Sequence, residues 1–159
     1  VEPDWDALYA QQLPRIYNYF HYRLGRGVDI EELTARTFEK AWRSRRRYRG
    51  DVAQFTTWLF RIARNVAIDY RRSERCHENI DLAMDLPTHE SPEQELALSS
   101  DQERLKALIE GLPDRERELL ALKFGAGATN RAIATVTGLS ESNVGTILHR
   151  ALKTLRAGW

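Results

Sequence analysis

Apolar residues recur at three- and four-residue spacing along the chain except in its middle, and glycine and proline are sparse, a pattern that predicts helices and no strand. A first helix is predicted from about Asp6 to Tyr22, with Leu8, Leu13, Ile16, Tyr17 and Phe20 as its apolar face and Gly25 and Gly27 ending it. Asp29, with Glu32 three residues on, reads as a capping box ahead of the stripe Ile30, Leu33, Phe38, Ala41, Trp42. The run Arg43, Arg45, Arg46, Arg47, Tyr48, Arg49, Gly50 is too charged to pack and reads as a basic loop. A longer third helix, from about Val52 to Arg75, buries Phe55, Trp58, Leu59, Ile62, Val66 and Tyr70.

The stretch CHENIDLAMDLPTHESPEQELALSS interrupts this pattern with two prolines and many acids, and it predicts a tether. Helical periodicity resumes in SSDQERLKALIEGL, stops at Gly111-Leu112-Pro113 and restarts at Asp114, burying Leu119, Leu120, Leu122 and Phe124. After GAGAT, a short helix turns Ala132, Ile133 and Val136 inward. A longer one follows Gly138-Leu139-Ser140 and turns Val144, Ile147, Leu148, Ala151, Leu152 and Leu155 inward. Gly138 suits the turn because a positive φ costs glycine little, Leu139 plugs the corner, and Ser140 or Glu141 starts the second helix. This is a helix-turn-helix pattern, whose second helix enters the DNA major groove. The expected fold is all-α: two small helical domains, residues 1–76 and 101–159, joined by a flexible acidic linker at 77–100.

Charge sharpens that division. The formal net charge of the 159 residues is +1, but 41–76 hold 10 bases and 3 acids, 77–114 hold 2 and 10, and 115–159 hold 7 and 3. Two basic modules flank an acidic connector, the layout of a chain whose modules face a polyanion. The opposite face of the third helix carries Thr57, Arg61, Arg64, Asn65, Ile68, Arg71, Arg72 and Arg75 at helical period. With acids nearly absent these arginines repel one another unless a polyanion neutralises them, and the competing reading is a solvated face. Likewise the glycine corner is either a DNA-reading motif or an ordinary αα-corner. Ser142, Asn143, Thr146 and Arg150 lie outside the buried set and can all hydrogen-bond phosphates or bases, which favours DNA.

Other classes find little support. One cysteine, Cys76, excludes a disulfide framework and a Cys-rich zinc site, and a reducing cytoplasm fits it. No run of about 18 apolar residues offers a membrane span, and the N-terminus shows neither a basic lead nor an apolar core of a signal peptide. GAGA at 125–128 lacks the preceding strand and lysine of a phosphate loop, and neither a Ser-His-Asp set nor a carboxylate pair stands out, so no enzyme, cofactor or metal is expected. Phe55, Trp58 and Phe60 are candidates to stack on unpaired bases, with core packing favoured for the first two, and Tyr48 is the better stacking residue.

The run FTTWLFRIARNVAIDYRRSER, preceded by DIEELTARTFEKAWRS, resembles region 2 of bacterial RNA polymerase sigma factors, and LPDRERELLALKF with the helix-turn-helix and HRALKTLR resembles region 4. Two regions joined by a short acidic linker is the layout of the extracytoplasmic-function (group IV) sigma factors. The resemblance implies a cytoplasmic, non-enzymatic specificity subunit. It would bind core polymerase at the clamp helices of the largest subunit and at the flap, recognise promoter −10 and −35 elements, and be held by an anti-sigma factor. On that basis −10 contacts fall to Tyr48, Arg61, Arg64, Asn65, Arg71 and Arg72, and −35 contacts to Arg131, Ser142, Asn143, Thr146 and Arg150. Polymerase contacts fall to Glu32, Leu33, Arg36, Thr37 and Lys40 on the second helix. The chain departs from the family at Ala35-Arg36, Ala132, Gly145 and Ile147. A helix-turn-helix regulator that binds a duplex operator unaided would explain the C-terminal module equally well but asks for no basic third helix. An adaptor that binds proteins is the other alternative.

Overall fold

The computed structural model describes residues 4–25, 27–48, 52–81 and 99–159, with the backbone alone for 52–54 and 75–81. The described residues contain no strand. Among the described residues, seven α-helices run α1 (Trp5–Leu24), α2 (Ile30–Arg43), α3 (Val52–Asp81), α4 (Ser100–Glu110), α5 (Asp114–Leu120), α6 (Asn130–Thr137) and α7 (Glu141–Gly158), with a 3-10 turn at Arg45–Arg47 and a π-helical turn at Ala121–Gly125. Helix α3 runs six residues past Arg75, so His77–Asp81 is helix where a tether was expected; residues 82–98 of that tether lie outside the described set.

Local chemistry accounts for the helix starts. Asp4, Asp29, Ser99, Thr129 and Ser140 each accept the backbone N–H three residues on, satisfying a donor that the first turn leaves unpaired. At α2 the expected capping box is half made: Asp29 accepts the Glu32 N–H, but the Glu32 carboxylate pairs with Arg36 at 2.9 Å. The reciprocal box forms instead at Ser99 and Gln102.

Helix α1 is the spine. It packs on α2 and α3 on one side and on α5 and the π-helical turn on the other, α3 also meets α6, and one apolar core runs through both halves. Tyr19, Phe20 and Phe60 are closed off from solvent, as are Leu119, Leu122 and Ile133, each such burial stabilising by about 1.5–3 kcal/mol. The buried stripe of α1 is therefore Leu8, Gln12, Ile16, Tyr19, Phe20, Arg23 and Leu24, whereas Leu13 and Tyr17, expected inward, are exposed. The stripe tolerates Gln12 and Arg23 because both find partners, Gln12 donating to the Thr56 hydroxyl at 3.2 Å.

Two other expected core residues lie elsewhere, and one stacking candidate lies in the core. Phe124 is 60% exposed because the π-helical turn rotates it off the buried side. Trp42 is 52% exposed at the end of α2, with Trp5 edge-on at 6.0 Å and the Arg45 guanidinium 3.9 Å over its ring. Phe60, considered for base stacking, is a core residue. Gly125 sits where the π-helical turn touches α1: a Cβ there would lie 3.0 Å from the Asn18 carbonyl oxygen and 3.0 Å from Tyr22 Cδ2.

Candidate nucleic-acid interface

Two faces carry the residues expected to meet DNA, and the fold treats them differently. On the C-terminal side, Gly138 ends α6 at φ +80 and Ser140 opens α7, accepting the Asn143 N–H at 3.1 Å. Ile133, Val136, Val144, Leu148 and Ala151 fill the angle between the two helices. With that side anchored, Ser142, Asn143, Thr146 and Arg150 all point outward along α7, and Arg131 is exposed at the start of α6. Thr146 donates its hydroxyl hydrogen to the Ser142 carbonyl at 3.1 Å, leaving the oxygen as an acceptor. Ile147 is half-buried against the core and faces away from this row. An exposed amide, hydroxyls and a guanidinium in the first turns of the second helix is the chemistry that reads a major groove.

The basic face of α3 is partly engaged by the C-terminal half. Arg64 Nε binds Glu118 at 2.6 Å, Arg71 pairs with Asp114 at 3.0 Å, and the Arg61 guanidinium donates to the Thr135 carbonyl of α6 at 3.3 Å. Buried Arg23 joins them from α1, binding Asp114 and reaching Glu118 at 3.4 Å. Arg71 and Arg117, one from each half, both donate to the Arg23 carbonyl at 3.1 and 3.0 Å, placing two cations at the C-terminal end of α1. Burial opposes the Arg23 charge, yet the Asp114 hydrogen bond and the charges of Tyr19, Asp114 and Glu118 outweigh it and hold its pKa above the ordinary value. Burial would raise Asp114, but the bond from Arg23 and the charges of Arg23, Arg71 and Arg117 hold it below the usual carboxylate range. Burial, reinforced by Glu118, pushes the neighbouring Tyr19 phenol up.

Of the residues expected at the −10 strand, Arg61, Asn65 and Arg72 are exposed, while Arg64 and Arg71 are half-buried. Tyr48 is half-buried, its ring edge-on to Phe55 at 5.5 Å and tilted against Trp58 at 5.1 Å; Arg49 and Asp51 beside it lie outside the described residues. Asn65 shares an open pocket of about 270 Å³ with Lys40, Arg43, Ser44 and Ile62, so α2 and α3 bring a residue expected at polymerase and one expected at DNA to the same place. On α2, Glu32, Arg36 and Lys40 are exposed one turn apart, but Leu33 and Thr37 are buried. Those two are removed from the expected docking face: Leu33 is core, and Thr37 closes its hydroxyl on the Leu33 carbonyl at 2.8 Å. Arg23, Asp114 and Glu118 escaped the sequence reading. The signal for them was a charged residue in phase with the apolar stripe of α1.

Residues 8–76 match the family model of sigma-70 region 2, and residues 102–155 match that of sigma-70 region 4. The chain belongs to the extracytoplasmic-function family of RNA polymerase sigma factors. It is 30% identical over 151 residues to the extracytoplasmic-function sigma factor BldN of Streptomyces coelicolor, covering 93% of this chain and 57% of that one. To the probable sigma factor RfaY of Xanthomonas campestris it is 34% identical over 132 residues, 79% of this chain but 33% of the relative. The sigma factor YlaC of Bacillus subtilis is 29% identical over 150 residues, with 92% and 86% covered. This sigma-factor chain thus spans between a third and six-sevenths of these relatives' lengths. The fold recurs in the sigma factor RpoE of Bartonella quintana, solved with the anti-sigma factor NepR, at a TM-score of 0.77 and 20% identity over 98% of this chain and 96% of that one. It recurs also in CnrH, solved with the cytosolic domain of CnrY, at 0.61 and 22% over 95% and 82%.

Proposed function

We propose that this protein directs core RNA polymerase to promoters. The region-4 half reads the −35 duplex through Asn143, Thr146 and Arg150, with Ser142 and Arg131 on phosphate. The region-2 half holds the −10 strand with Arg61, Arg64, Asn65, Arg71, Arg72 and Tyr48. Neutralising phosphates with arginine supplies sequence-independent affinity, and base-edge bonds from the α7 row supply discrimination. The pocket at Asn65, walled by Lys40 and Arg43, suits an unstacked nucleotide, since cations and an amide there offset the few kcal/mol that unstacking costs. Glu32, Arg36 and Lys40 of α2 dock the clamp helices of the largest polymerase subunit, and the region-4 half docks the flap. An anti-sigma factor is the expected partner in the resting cell, the protein acts in the cytoplasm, and it performs no catalysis of its own. Among the described residues, no helix is long and apolar enough to cross a membrane.

The observation that carries this reading is one chain holding both a region-2 and a region-4 match, with an exposed polar row on the second helix of the latter. A regulator that binds a duplex operator unaided would need only the second. Mobility-shift assays with promoter duplex, with and without core polymerase, separate the two. A specific complex formed only with polymerase is expected, and an equally specific one without polymerase would refute the reading.

A further inference from the structure

We propose that the first two turns of α7 select two adjacent A·T pairs, Thr146 recognising a thymine through its methyl group and Asn143 the adenine of the neighbouring pair. The proposal rests on the reading of α7 as the −35 helix and specifies the sequence that helix selects. The supply of side chains sets the limit. Guanine is most often recognised by an arginine or lysine bonded to its O6 and N7. Residues 141–147 hold neither, and Arg150 is the first cation of the helix. Glu141, two residues before Asn143, projects from the other side of the helix. Gly145 offers no side chain, and a Cβ there would meet only Asn130 Nδ2 at 4.0 Å. Ile147 is turned half-buried to the core, which leaves Ser142, Asn143 and Thr146 on the outward face of these turns.

The conformation of Thr146 decides what it offers. Its hydroxyl hydrogen is committed to the Ser142 carbonyl at 3.1 Å, so the hydroxyl lies back against the helix and the methyl is the group presented outward. A methyl in the major groove selects thymine, the one base whose edge carries a methyl of its own. At Asn143 the Ser140 cap holds the backbone N–H, and the side-chain amide makes no hydrogen bond among the described residues. Its donor and acceptor are both open to adenine N7 and N6. Three residues apart, Asn143 and Thr146 share a face and stand about 4.5 Å apart along the axis, against about 3.4 Å between stacked base pairs, which sets them on neighbouring pairs. Arg150 stands about 10.5 Å beyond Asn143, so a guanine contact from it falls roughly three pairs away.

The test uses the full chain bound to core polymerase, and promoter duplexes that this complex selects from a library randomised across the upstream element. Two adjacent A·T pairs should recur at one fixed position, and a G·C pair at either should weaken binding about 5- to 150-fold. Replacing the thymine by deoxyuridine deletes only its methyl and should weaken the unaltered protein about fourfold, as one methyl group removed from water is worth. Thr146→Ser should lose that distinction, whereas Thr146→Val, which keeps the methyl and drops the hydroxyl, should retain it. Replacing the adenine by 7-deazaadenine should weaken the unaltered protein and leave Asn143→Ala unaffected. Equal binding of the thymine and deoxyuridine duplexes, or a Thr146→Val variant blind to the difference, would overturn the methyl contact. A guanine selected at either pair would overturn the A·T reading. In both cases α7 remains the −35 helix if Asn143→Ala or Thr146→Ser changes which duplexes are selected. One upstream element selected alike by every variant, or no shared element at all, would refute the −35 reading and the proposal with it.

Discussion

Substituting Gly125 by alanine isolates the contact between the halves. The new Cβ would sit 3.0 Å from the Asn18 carbonyl oxygen, 3.2 Å from the carbonyl carbon and 3.0 Å from Tyr22 Cδ2. The tyrosine ring can swing aside, but two of the three atoms are helix backbone and cannot. Overpacking of this kind costs about 1–3 kcal/mol. Alanine also favours a helical turn over glycine by about 1 kcal/mol, yet that gain applies whether the halves are together or apart and cancels between the two states. The net shift toward separated halves is then about 1–3 kcal/mol, or roughly 5- to 150-fold in the equilibrium. Hydrogen exchange should report it as faster amide exchange along the flank of α1 that faces α5, with α2 and α3 protecting the other flank as before. Exchange unchanged on both flanks would refute the close approach, and exchange raised equally on both would indicate general destabilisation.

Other predictions probe single features. Asn143→Ala should cost about 1–3 kcal/mol of discrimination at one −35 base pair in competition binding by the polymerase complex, since the Ser140 cap on its backbone N–H survives the change; a uniform loss across all sequences would reassign it to phosphate. Arg131→Ala should weaken binding uniformly and lower the slope of log affinity against log salt by about 0.9, and an unchanged slope would place this arginine in solvent. Gly138→Ala should lower thermal stability by about 1–2 kcal/mol from the left-handed backbone alone, because its Cβ would meet nothing within 4 Å. Closure depresses the Asp114 pKa, so its contribution is complete above the open-state value of about 3.9 and fades as pH falls through the lower closed-state value. Scattering should show the halves parting on acidification through that window, and a molecule equally compact in both charge states would contradict the assignment.

Most of the helical plan was legible because periodicity and capping residues act locally. The α6–Gly138–α7 corner is the clearest case: three cues, an apolar stripe, a turn glycine and a serine cap, agree within a dozen residues. Periodicity also identified the basic face of α3. It could not say what covers that face, because a row of arginines attracts DNA phosphates and the carboxylates of Asp114 and Glu118 alike. The same limit explains Leu33 and Thr37, which lie among exposed residues of α2 in sequence but turn beneath them in space. Trp42 and Phe124 show the converse: large apolar residues at the ends of elements, where a helical phase no longer determines burial. Arg23 and Gln12 are polar residues in phase with the apolar stripe of α1, a signal the sequence reading passed over.

The central claim is most directly tested by run-off transcription from a library of bacterial DNA fragments, using core polymerase with and without this protein and sequencing the transcript starts. The account predicts new starts, present only when the protein is added, lying at constant distances downstream of two shared sequence elements. It further predicts that replacing Arg61 and Arg64 by alanine weakens opening at those starts. A set of transcripts unchanged by the protein would contradict it.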